Sequence, residues 1–296
     1  MLDQPALRPP VASLEGAGEA VCEPPPLASP RVQLRELIPS DYPILYRLAM
    51  DPALSHRWRH RSRQLTFEEF VPSLTEGVLC QFAVVSTPAL EVIGHVVCYR
   101  PDFRNRFAYL ALQGIPEVQH TGLVMEAAEL LVDYLFACFD FHKLYAECPG
   151  FSLPQYQSGL GEIFVEEGRL RDHERFLGRT WDFSILALYR SAWLDRKRRL
   201  SARRLAGDGA LAALRSLDGR GPSFDDFAAW VAEEIGYVDV AALRPESRLV
   251  EDLGADSIAF VQLVELLEDL GANIDLESLL DLETMGDLHF TLIQRR

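Results

Sequence analysis

The stretch LGADSI, residues 253–258, lies near the C-terminal end of the sequence and centres on Ser257. The serine follows an aspartate, precedes an apolar residue and opens a run with helical periodicity. A helix N-terminus offers unpaired backbone N–H groups and partial positive charge, which together stabilise a phosphate ester. The pattern therefore predicts a helix that begins at Ser257 and whose first hydroxyl carries a phosphate-linked group.

The residues around this stretch are typical of a small helical domain. Apolar residues after Ser257 recur at helical spacing and should face a core; they are Phe260, Leu263, Val264, Leu267 and Leu270. The same periodicity predicts four helices, at about residues 224–235, 257–270, 276–282 and 285–293. We therefore expect an all-α four-helix domain over residues 222–296.

Further motifs accompany LGADSI. Leu249 precedes an acidic pair, the second predicted helix is acidic, and TMGDL ends the segment at residues 284–288. With these motifs, residues 224–293 resemble an acyl carrier protein, although Ile258 stands where leucine is commoner. The resemblance implies that a separate phosphopantetheinyl transferase attaches 4′-phosphopantetheine from coenzyme A to Ser257. The other interpretation is a plain acidic four-helix domain in which Ser257 only caps a helix.

Charge is distributed unevenly along the chain, whose formal net charge is −15. The segment from Pro222 onward has 17 acidic residues and 4 arginines, whereas the rest has 27 acidic and 25 basic residues. Such asymmetry indicates different partners for the two ends. The resemblance implies that the acidic second helix, with Glu265, Glu268 and Asp269, docks other acyl-assembly enzymes. Nucleic acid would be repelled by this charge.

The residues before position 200 alternate between strand and helix patterns. Strands are predicted at residues 32–37, 81–86, 92–99, 107–115, 144–148 and 181–189. Helices are predicted up to residue 50, at 66–75 and at 122–139, and Pro154 could open another. A hairpin series followed by strand–helix–strand predicts a mixed sheet of the α/β or α+β class.

Several short motifs of this upstream segment point to one family. They are LREL followed by Pro-Ser-Asp, VIGH at 92–95, QHTGLVMEA at 119–127, YLF at 134–136, FVEEG at 164–168 and Trp181-Asp182. With these motifs, residues 32–193 resemble the GNAT superfamily of acetyltransferases, closest to the branch that includes ribosomal-protein N-acetyltransferases. The resemblance implies a GNAT fold in which a split between the fourth and fifth strands admits the pantetheine of coenzyme A.

The turn before the helix at 122–139 is the expected coenzyme-binding element. A glycine there lets backbone amides approach a pyrophosphate closely. In the family this turn reads QxxGxG/A, and here it comprises Gln119, His120, Thr121, Gly122, Leu123 and Val124. Val124 replaces the usual small residue and should crowd the turn. After the fifth strand, Ser152, Gln155 and Ile163 stand where the family often has an asparagine, a serine and a glycine.

Three side chains are candidates for catalysis: Tyr156, Glu117 and His95. GNAT enzymes transfer an acyl group directly from a thioester to an amine, so positioning and charge stabilisation matter most. The resemblance places Tyr156 where a tyrosine protonates the leaving thiolate, and a backbone N–H at a bulge near Ala111–Gly114 where it polarises the thioester carbonyl. Glu117 and His95 could act as bases. Core packing for Tyr156, a solvated loop for Glu117 and a buried strand position for His95 stay open as alternatives, and His120 should pack or hydrogen-bond locally.

Two basic runs precede the C-terminal domain, at residues 57–63 and 196–204. They are interpreted as solvated faces or, alternatively, as a landing surface for the acidic helix of the C-terminal domain. Nucleic-acid binding is disfavoured because the whole chain is acidic.

The composition is that of an ordinary soluble globular protein, with 48% hydrophobic and 25% charged residues. No apolar run reaches about 18 residues, and the N-terminus lacks a signal-like pattern, so neither a membrane span nor secretion is expected. The five cysteines are scattered and form no CxxC pair. We therefore expect no disulfide framework and no metal site, and a reduced, cytoplasmic location.

Composition also suggests the domain boundaries. Residues 1–30 contain seven prolines and few large apolar side chains, which predicts a disordered leader. The glycine-punctuated residues 200–221 are the predicted linker between a GNAT-like domain at 31–199 and a carrier domain at 222–296.

The two resemblances together predict an acyltransferase fused to its carrier. The preferred hypothesis is acyl transfer to an amine in natural-product or siderophore-type biosynthesis, with donor or acceptor held on the arm of Ser257. The first alternative is an S-acyltransferase that loads an acyl group from acyl-CoA onto that arm. The second alternative is a non-catalytic GNAT-like recognition module attached to a carrier protein. Tethering would raise the effective concentration of the two domains to about millimolar.

Overall fold

The computed structural model describes residues 25–215, 222–235 and 239–294. Most of the predicted leader and the end of the predicted linker lie outside these residues. The described part divides into a sheet domain, residues 25–215, and a helical domain, residues 222–294. Within the predicted leader, Leu27 packs against the core, and its carbonyl accepts a hydrogen bond of 2.7 Å from the Leu34 amide.

Seven strands are described in the sheet domain. They are β1 (Val32–Arg35), β2 (Val78–Ser86), β3 (Val92–Asp102), β4 (Phe107–Gly114), β5 (Lys143–Pro149), β6 (Val165–Phe176) and β7 (Arg179–Tyr189). Its described helices are α1 (Tyr42–Met50), α2 (Phe67–Ser73), α3 (Leu123–Cys138) and α4 (Arg190–Arg215). The helical domain contributes α5 (Phe224–Ile235), α6 (Ser257–Asp269), α7 (Leu276–Leu280) and α8 (Met285–Gln294).

The strands form one mixed sheet in the order β1-β2-β3-β4-β5-β7-β6. Every neighbouring pair is antiparallel except β4 and β5, which are parallel because α3 connects them as a crossover. Their pairing ends at Leu110 and Ala146. Beyond these residues β5 continues along β7 as far as Pro149, so a split opens between β4 and β5. The predicted mixed sheet and its split are both present.

Two apolar cores cover the two faces of the sheet. Successive residues of a strand point to opposite faces, and Val96 and Val97 of β3 accordingly belong to different clusters. The first cluster contains the buried face of α3, including Leu131 and Leu135, and continues into the helical domain. The second lies beneath α1 and α2 and includes Phe70.

The helical domain is built as its periodicity predicted. Phe260, Leu263, Val264 and Leu267 of α6 are buried, and Leu270 packs against the same cluster. Residues from the other helices complete this core; they are Phe227, Val231, Leu279, Met285, Leu288 and Leu292. The four-helix prediction is confirmed.

Two elements differ from expectation. The strand β6 was not predicted because its sequence, VEEGRLRDHERF, is charged and mostly exposed; hydrogen bonds to β7 hold it at the sheet edge. The helix α4 runs through Arg215, so most of the predicted linker is helical, and residues 216–221 lie outside the described ranges.

Candidate functional site

The split between β4 and β5 supplies free backbone donors. The β3–β4 register is regular along Ala111–Gly114, so the bulge expected there is absent from this described pairing. The Ile115 amide donates to the Ile93 carbonyl at 2.8 Å, and the direction of donation alternates along a strand. The N–H groups of Leu112 and Gly114 therefore point towards the β5 side, into the split.

The predicted coenzyme-binding turn stands at the start of α3. His120 and Gly122 have left-handed backbones, with φ of 64° and 75°. The glycine lies directly against the helical domain, because a Cβ built on it would be 3.0 Å from Val261 Cγ2. A larger residue would therefore be strained twice, by its backbone angle and by its contact with α6.

The other residues of the turn have different surroundings. Thr121 Oγ1 donates to the Val118 carbonyl at 2.8 Å and closes the turn. Leu123 is fully buried in the core, so it supports the turn rather than facing a ligand. Val124 packs against Gly114, where a Cβ would lie 2.5 Å from Val124 Cγ2. The bulk that the sequence predicted to crowd the turn is thus accommodated by a glycine on β4.

Ser257 is the first residue of α6, as predicted. Asp256 caps this helix, because its Oδ1 accepts from the amides of Ile258 at 3.0 Å and Ala259 at 2.9 Å. The expectation of unpaired N–H groups is therefore wrong for these two amides. The same carboxylate accepts from Ser158 of the sheet domain, from its hydroxyl at 2.6 Å and its amide at 2.7 Å. Asp256 thereby fixes Ser257 beside the sheet domain.

A buried arginine at each side of α6 reinforces this arrangement. Arg31 contacts Glu268 of α6, donates to the Ile274 carbonyl at 3.1 Å and pairs with Glu126 of α3 at 2.8 Å. Arg31 is 5% exposed, and the second arginine, Arg196 of α4, is 4% exposed. Of the acidic residues that were predicted to dock partner enzymes, Glu268 is therefore paired within the same chain.

The counterpart of Arg31 is Arg196. Its guanidinium lies 3.0 Å from Glu265 of α6 and 3.2 Å from Glu129 of α3. For Arg196, the interpretation as a landing surface describes the contact and the interpretation as a solvated face does not. We call the surface formed by Arg31, Arg196, Ser158 and Gly122 the docking face.

Two adjoining cavities extend from the docking face into the split. The serine cavity, about 150 Å³, is lined by Ser257, Gln119, His120, Gly122 and Val124 among others. The arginine cavity, about 430 Å³, is lined by Arg57, Arg59, Arg61 and Arg100 together with many apolar residues. Both linings include Leu112, Glu147, Cys148 and Tyr156, and also Arg57, Trp58 and Met125. The cavity that contains Ser257 therefore adjoins the cavity that contains the four arginines.

Tyr156 and Cys148 are protonated at neutral pH. Burial raises the pKa of the Tyr156 phenol above its ordinary value, and the neighbouring Cys148 raises it further. Burial also raises the pKa of Cys148 to about 12. Tyr156 therefore keeps its phenolic proton, and Cys148 stays a thiol rather than the nucleophilic thiolate.

The structure does not bring the other two catalytic candidates to the split. Glu117 is exposed in the turn that follows β4, and neither cavity's described lining includes it. His95 is buried, with Nε2 3.0 Å from Gln81 Oε1 and its ring beside Trp58. Burial, together with Arg59, lowers the pKa of His95 to about 3. His95 is thus a neutral core residue outside both cavities.

Two features of the site were missed in the sequence. Glu147 lines both cavities, and its only signal was a charge within the apolar strand LYAEC. Arg59 and Arg61 are half-buried and line the arginine cavity, so the interpretation of that run as a solvated face does not describe them.

Comparisons with known proteins agree with both parts of this architecture. Residues 31–149 match the family model of the acetyltransferase (GNAT) domain, and residues 226–288 match that of the phosphopantetheine attachment site. An acyl carrier protein of Helicobacter pylori is 39% identical over 66 residues, which cover 22% of this chain and 83% of that protein. The chain belongs to the acyl carrier proteins at its C-terminus and carries a GNAT domain before it. The predicted resemblances to GNAT acetyltransferases and to acyl carrier proteins are both confirmed.

Other relatives match shorter parts. The acyl carrier protein MbtL of Mycolicibacterium paratuberculosis is 50% identical over 52 residues, 17% of this chain and 58% of that protein. The match therefore spans less than two thirds of that relative. A Vibrio cholerae spermidine N-acetyltransferase, solved with CoA and spermine, is 22% identical with a TM-score of 0.49, covering 55% of this chain and 98% of that one. No helix in the described ranges is both long and apolar enough to cross a membrane.

The residues of the serine cavity fit a phosphopantetheine arm. Ser152 Oγ and Gln113 Nε2 are buried there, and neither has a hydrogen-bond partner among the described residues. Buried polar atoms of this kind usually bind a partner, and the arm contains two amide groups. Ser257 would carry the arm, and Ser152 and Gln113 would bind its amides. The serine cavity therefore contains polar groups suited to 4′-phosphopantetheine, the cofactor of the carrier domain.

Proposed function

We propose that the protein transfers an acyl group from the phosphopantetheine arm of Ser257 to an amine. The observation that carries this proposal is the position of Ser257, which lines the same cavity as the Gln119–Val124 turn and Tyr156. A carrier dedicated to one acyltransferase in the same chain favours a pathway that assembles small molecules stepwise, as in natural-product biosynthesis.

The packing of α6 supports the arm, rather than free acyl-CoA, as the donor. Gly122 belongs to the turn that holds the coenzyme A pyrophosphate in GNAT enzymes, and Val261 lies 3.0 Å from the position of its missing Cβ. A docked carrier therefore leaves little space for a pyrophosphate. In the alternative reaction, loading of the arm from acyl-CoA, the docked carrier and the coenzyme A pyrophosphate would have to occupy the Gln119–Val124 turn at the same time.

The residues of the split suit a direct transfer. The bound group supplies a thiol that holds the acyl group as a thioester. The N–H groups of Leu112 and Gly114 would donate to the carbonyl oxygen as it gains negative charge, and such fixed donors stabilise it. As the neutral amine bonds to the carbonyl carbon, the carbon–sulfur bond breaks, and Tyr156 Oη would protonate the departing sulfur. The proton that the nitrogen loses would return to Tyr156, which leaves an amide, a free thiol and a neutral phenol. Because Cys148 stays a thiol, we expect no acyl-cysteine.

The acceptor amine would approach from the arginine cavity. Glu147 is the carboxylate shared by both cavities, and Tyr99 Oη lies 3.4 Å from its Oε2. We assign Glu147 to bind the amino group and orient it towards the split.

The proposal is tested by loading the arm and then withdrawing CoA. A promiscuous phosphopantetheinyl transferase would convert the full chain with acetyl-, butyryl- or octanoyl-CoA. After desalting, amines would be added and the intact mass followed. We expect loss of the acyl mass from Ser257 and formation of an amide, at least about 100-fold slower in Tyr156→Phe. Tyr42→Phe, outside both described cavity linings, is the matched control.

Other outcomes would favour the alternatives. Unacylated holo-protein that gains acyl mass from acyl-CoA without any amine would favour loading of the carrier. Amide formation by Ser257→Ala with acyl-CoA would show that the arm is not the donor. Absence of any transfer across the panel would favour a recognition module.

A further inference from the structure

The arginine cavity has a chemical character that narrows the acceptor. We infer that the acceptor is an amine that also bears an oxyanion, in the simplest case an amino acid, whose carboxylate binds the arginines while its amino group binds Glu147. This inference rests on the proposed transfer to an amine, but the binding it describes is measurable without catalysis.

The charge of the cavity lining favours an anion. Four guanidinium groups line the cavity, against the carboxylates of Glu76 and Glu147. His60 also lines the cavity and adds no negative charge to it. A further lining carboxylate, Glu129, is already paired with Arg196 and Lys197 on the docking face. A polycationic acceptor would meet repulsion here, whereas an oxyanion would be attracted.

The arginines retain unused hydrogen-bonding capacity. Arg61 lies 3.7 Å from Glu147 and 3.6 Å from Glu174, and Arg100 lies 3.7 Å from Glu147. These separations exceed the range of about 2.7–3.2 Å for N–H···O hydrogen bonds. Arg61 Nη1 is buried and has no hydrogen-bond partner among the described residues. A planar guanidinium in this state matches a carboxylate, which accepts two parallel hydrogen bonds.

Glu147 adds a negative charge to the cavity, next to the split between β4 and β5. It follows Ala146, where the β4–β5 pairing ends, so its carboxylate stands at the mouth of the split. Its carboxylate lies 3.7 Å from both Arg61 and Arg100. A ligand with a positive amino group next to a negative carboxylate would therefore pair with Glu147 and the arginines at once, with its nitrogen nearer the split.

Binding to the full-length Ser257→Ala chain tests the inference, because this chain cannot carry the arm. Titration calorimetry would compare the twenty proteinogenic amino acids with their amides, with the corresponding decarboxylated amines, with O-phosphoethanolamine and with spermidine. We expect at least one amino acid to bind at least 10-fold more tightly than its amide. Tighter binding of O-phosphoethanolamine would assign the oxyanion as a phosphate rather than a carboxylate.

Variants identify the groups responsible. Arg61→Gln should weaken acid binding at least 10-fold while leaving amide binding unchanged, and Arg61→Lys should recover only part of the loss. Arg57→Gln and Arg100→Gln, at more exposed positions, guard against a folding defect at Arg61. Arg104→Gln is the control, since this exposed arginine lines neither described cavity.

Equal or tighter binding of amides, plain amines or spermidine would overturn the inference, as would the absence of binding by every acid at millimolar concentration. Either result would leave transfer from the Ser257 arm intact. Conversely, acid binding without transfer from a loaded arm would refute the proposed function and keep the oxyanion site.

Discussion

The docking face and the arginine cavity use the same residue type in opposite ways. At the docking face, Arg31 and Arg196 are buried, and each pairs with one carboxylate of the GNAT domain and one of the carrier. At the cavity, Arg61 and Arg100 are more exposed, and their carboxylate contacts are 3.6–3.7 Å long.

The difference indicates what each region binds. An arginine that already has two close carboxylates fixes an internal contact, whereas one with distant partners can accept a ligand. The docking arginines would keep Glu126 and Glu129 if the carrier left, so undocking would strand neither charge. In our proposal the carrier docks here for transfer and leaves this face to meet the phosphopantetheinyl transferase.

Charge reversal at the docking face should have the largest effect. Arg196→Glu places a third carboxylate beside Glu129 and Glu265, and loss of one member of a buried pair costs about 3–5 kcal/mol. We expect α6 to lose protection in hydrogen–deuterium exchange and arm-dependent transfer to fall at least about 100-fold. The control is Arg198→Glu, which alters an exposed pair with Asp195. It should change the free energy of docking and the barrier to transfer by less than about 1 kcal/mol each. Unaltered transfer in Arg196→Glu would contradict docking in this pose.

A steric change at the docking face should act more weakly. A Cβ on Gly159 would lie 2.6 Å from Ile258 Cδ1, so Gly159→Val should disfavour docking by about 1–3 kcal/mol. Adding Ile258→Val removes the clashing atom and should restore part of the transfer rate. Gly168→Ala, where a Cβ meets only an ordinary contact at 3.7 Å, serves as the control. Failure of the second substitution to help would place the defect elsewhere.

Salt should separate the two regions. The distance over which exposed charges interact falls from about 10 Å at 0.1 M ionic strength to about 4 Å at 0.5 M, whereas buried pairs are screened much less. We expect amino-acid binding in the arginine cavity to weaken several-fold over this range, with less than a two-fold change in the exchange protection of α6. Equal sensitivity of both would remove the distinction between them.

The smallest effect is expected from a substitution of Cys148. Cys148 lines both cavities and, with its pKa raised to about 12 by burial, takes no part in the proposed transfer. Cys148→Ala should reduce the turnover of a loaded arm by less than about three-fold, because direct transfer needs no cysteine nucleophile. A loss as large as that of Tyr156→Phe, or an acylated Cys148 peptide in the mass spectrum, would require a covalent intermediate.

Local patterns in the sequence determined both domains. Ser257 begins a helix whose apolar face was readable from residues three and four apart, and the Gln119–Val124 turn was readable from its glycine between a strand and a helix. The strand β6 was not readable, since its stability comes from pairing with β7 rather than from apolar alternation. The length of α4, which continues past Gly207 and Gly209, was not readable either.

The relation between the domains was decided only by the tertiary structure. The sequence suggested a landing surface without choosing between two basic runs, and the fold assigned Arg196 to the carrier and Arg59 and Arg61 to a cavity. Asp256 binds Ser158 across 98 positions of sequence. Periodicity reports only which face of an element is apolar. Which distant charges meet depends on how the chain folds back on itself, and no local pattern contains that information.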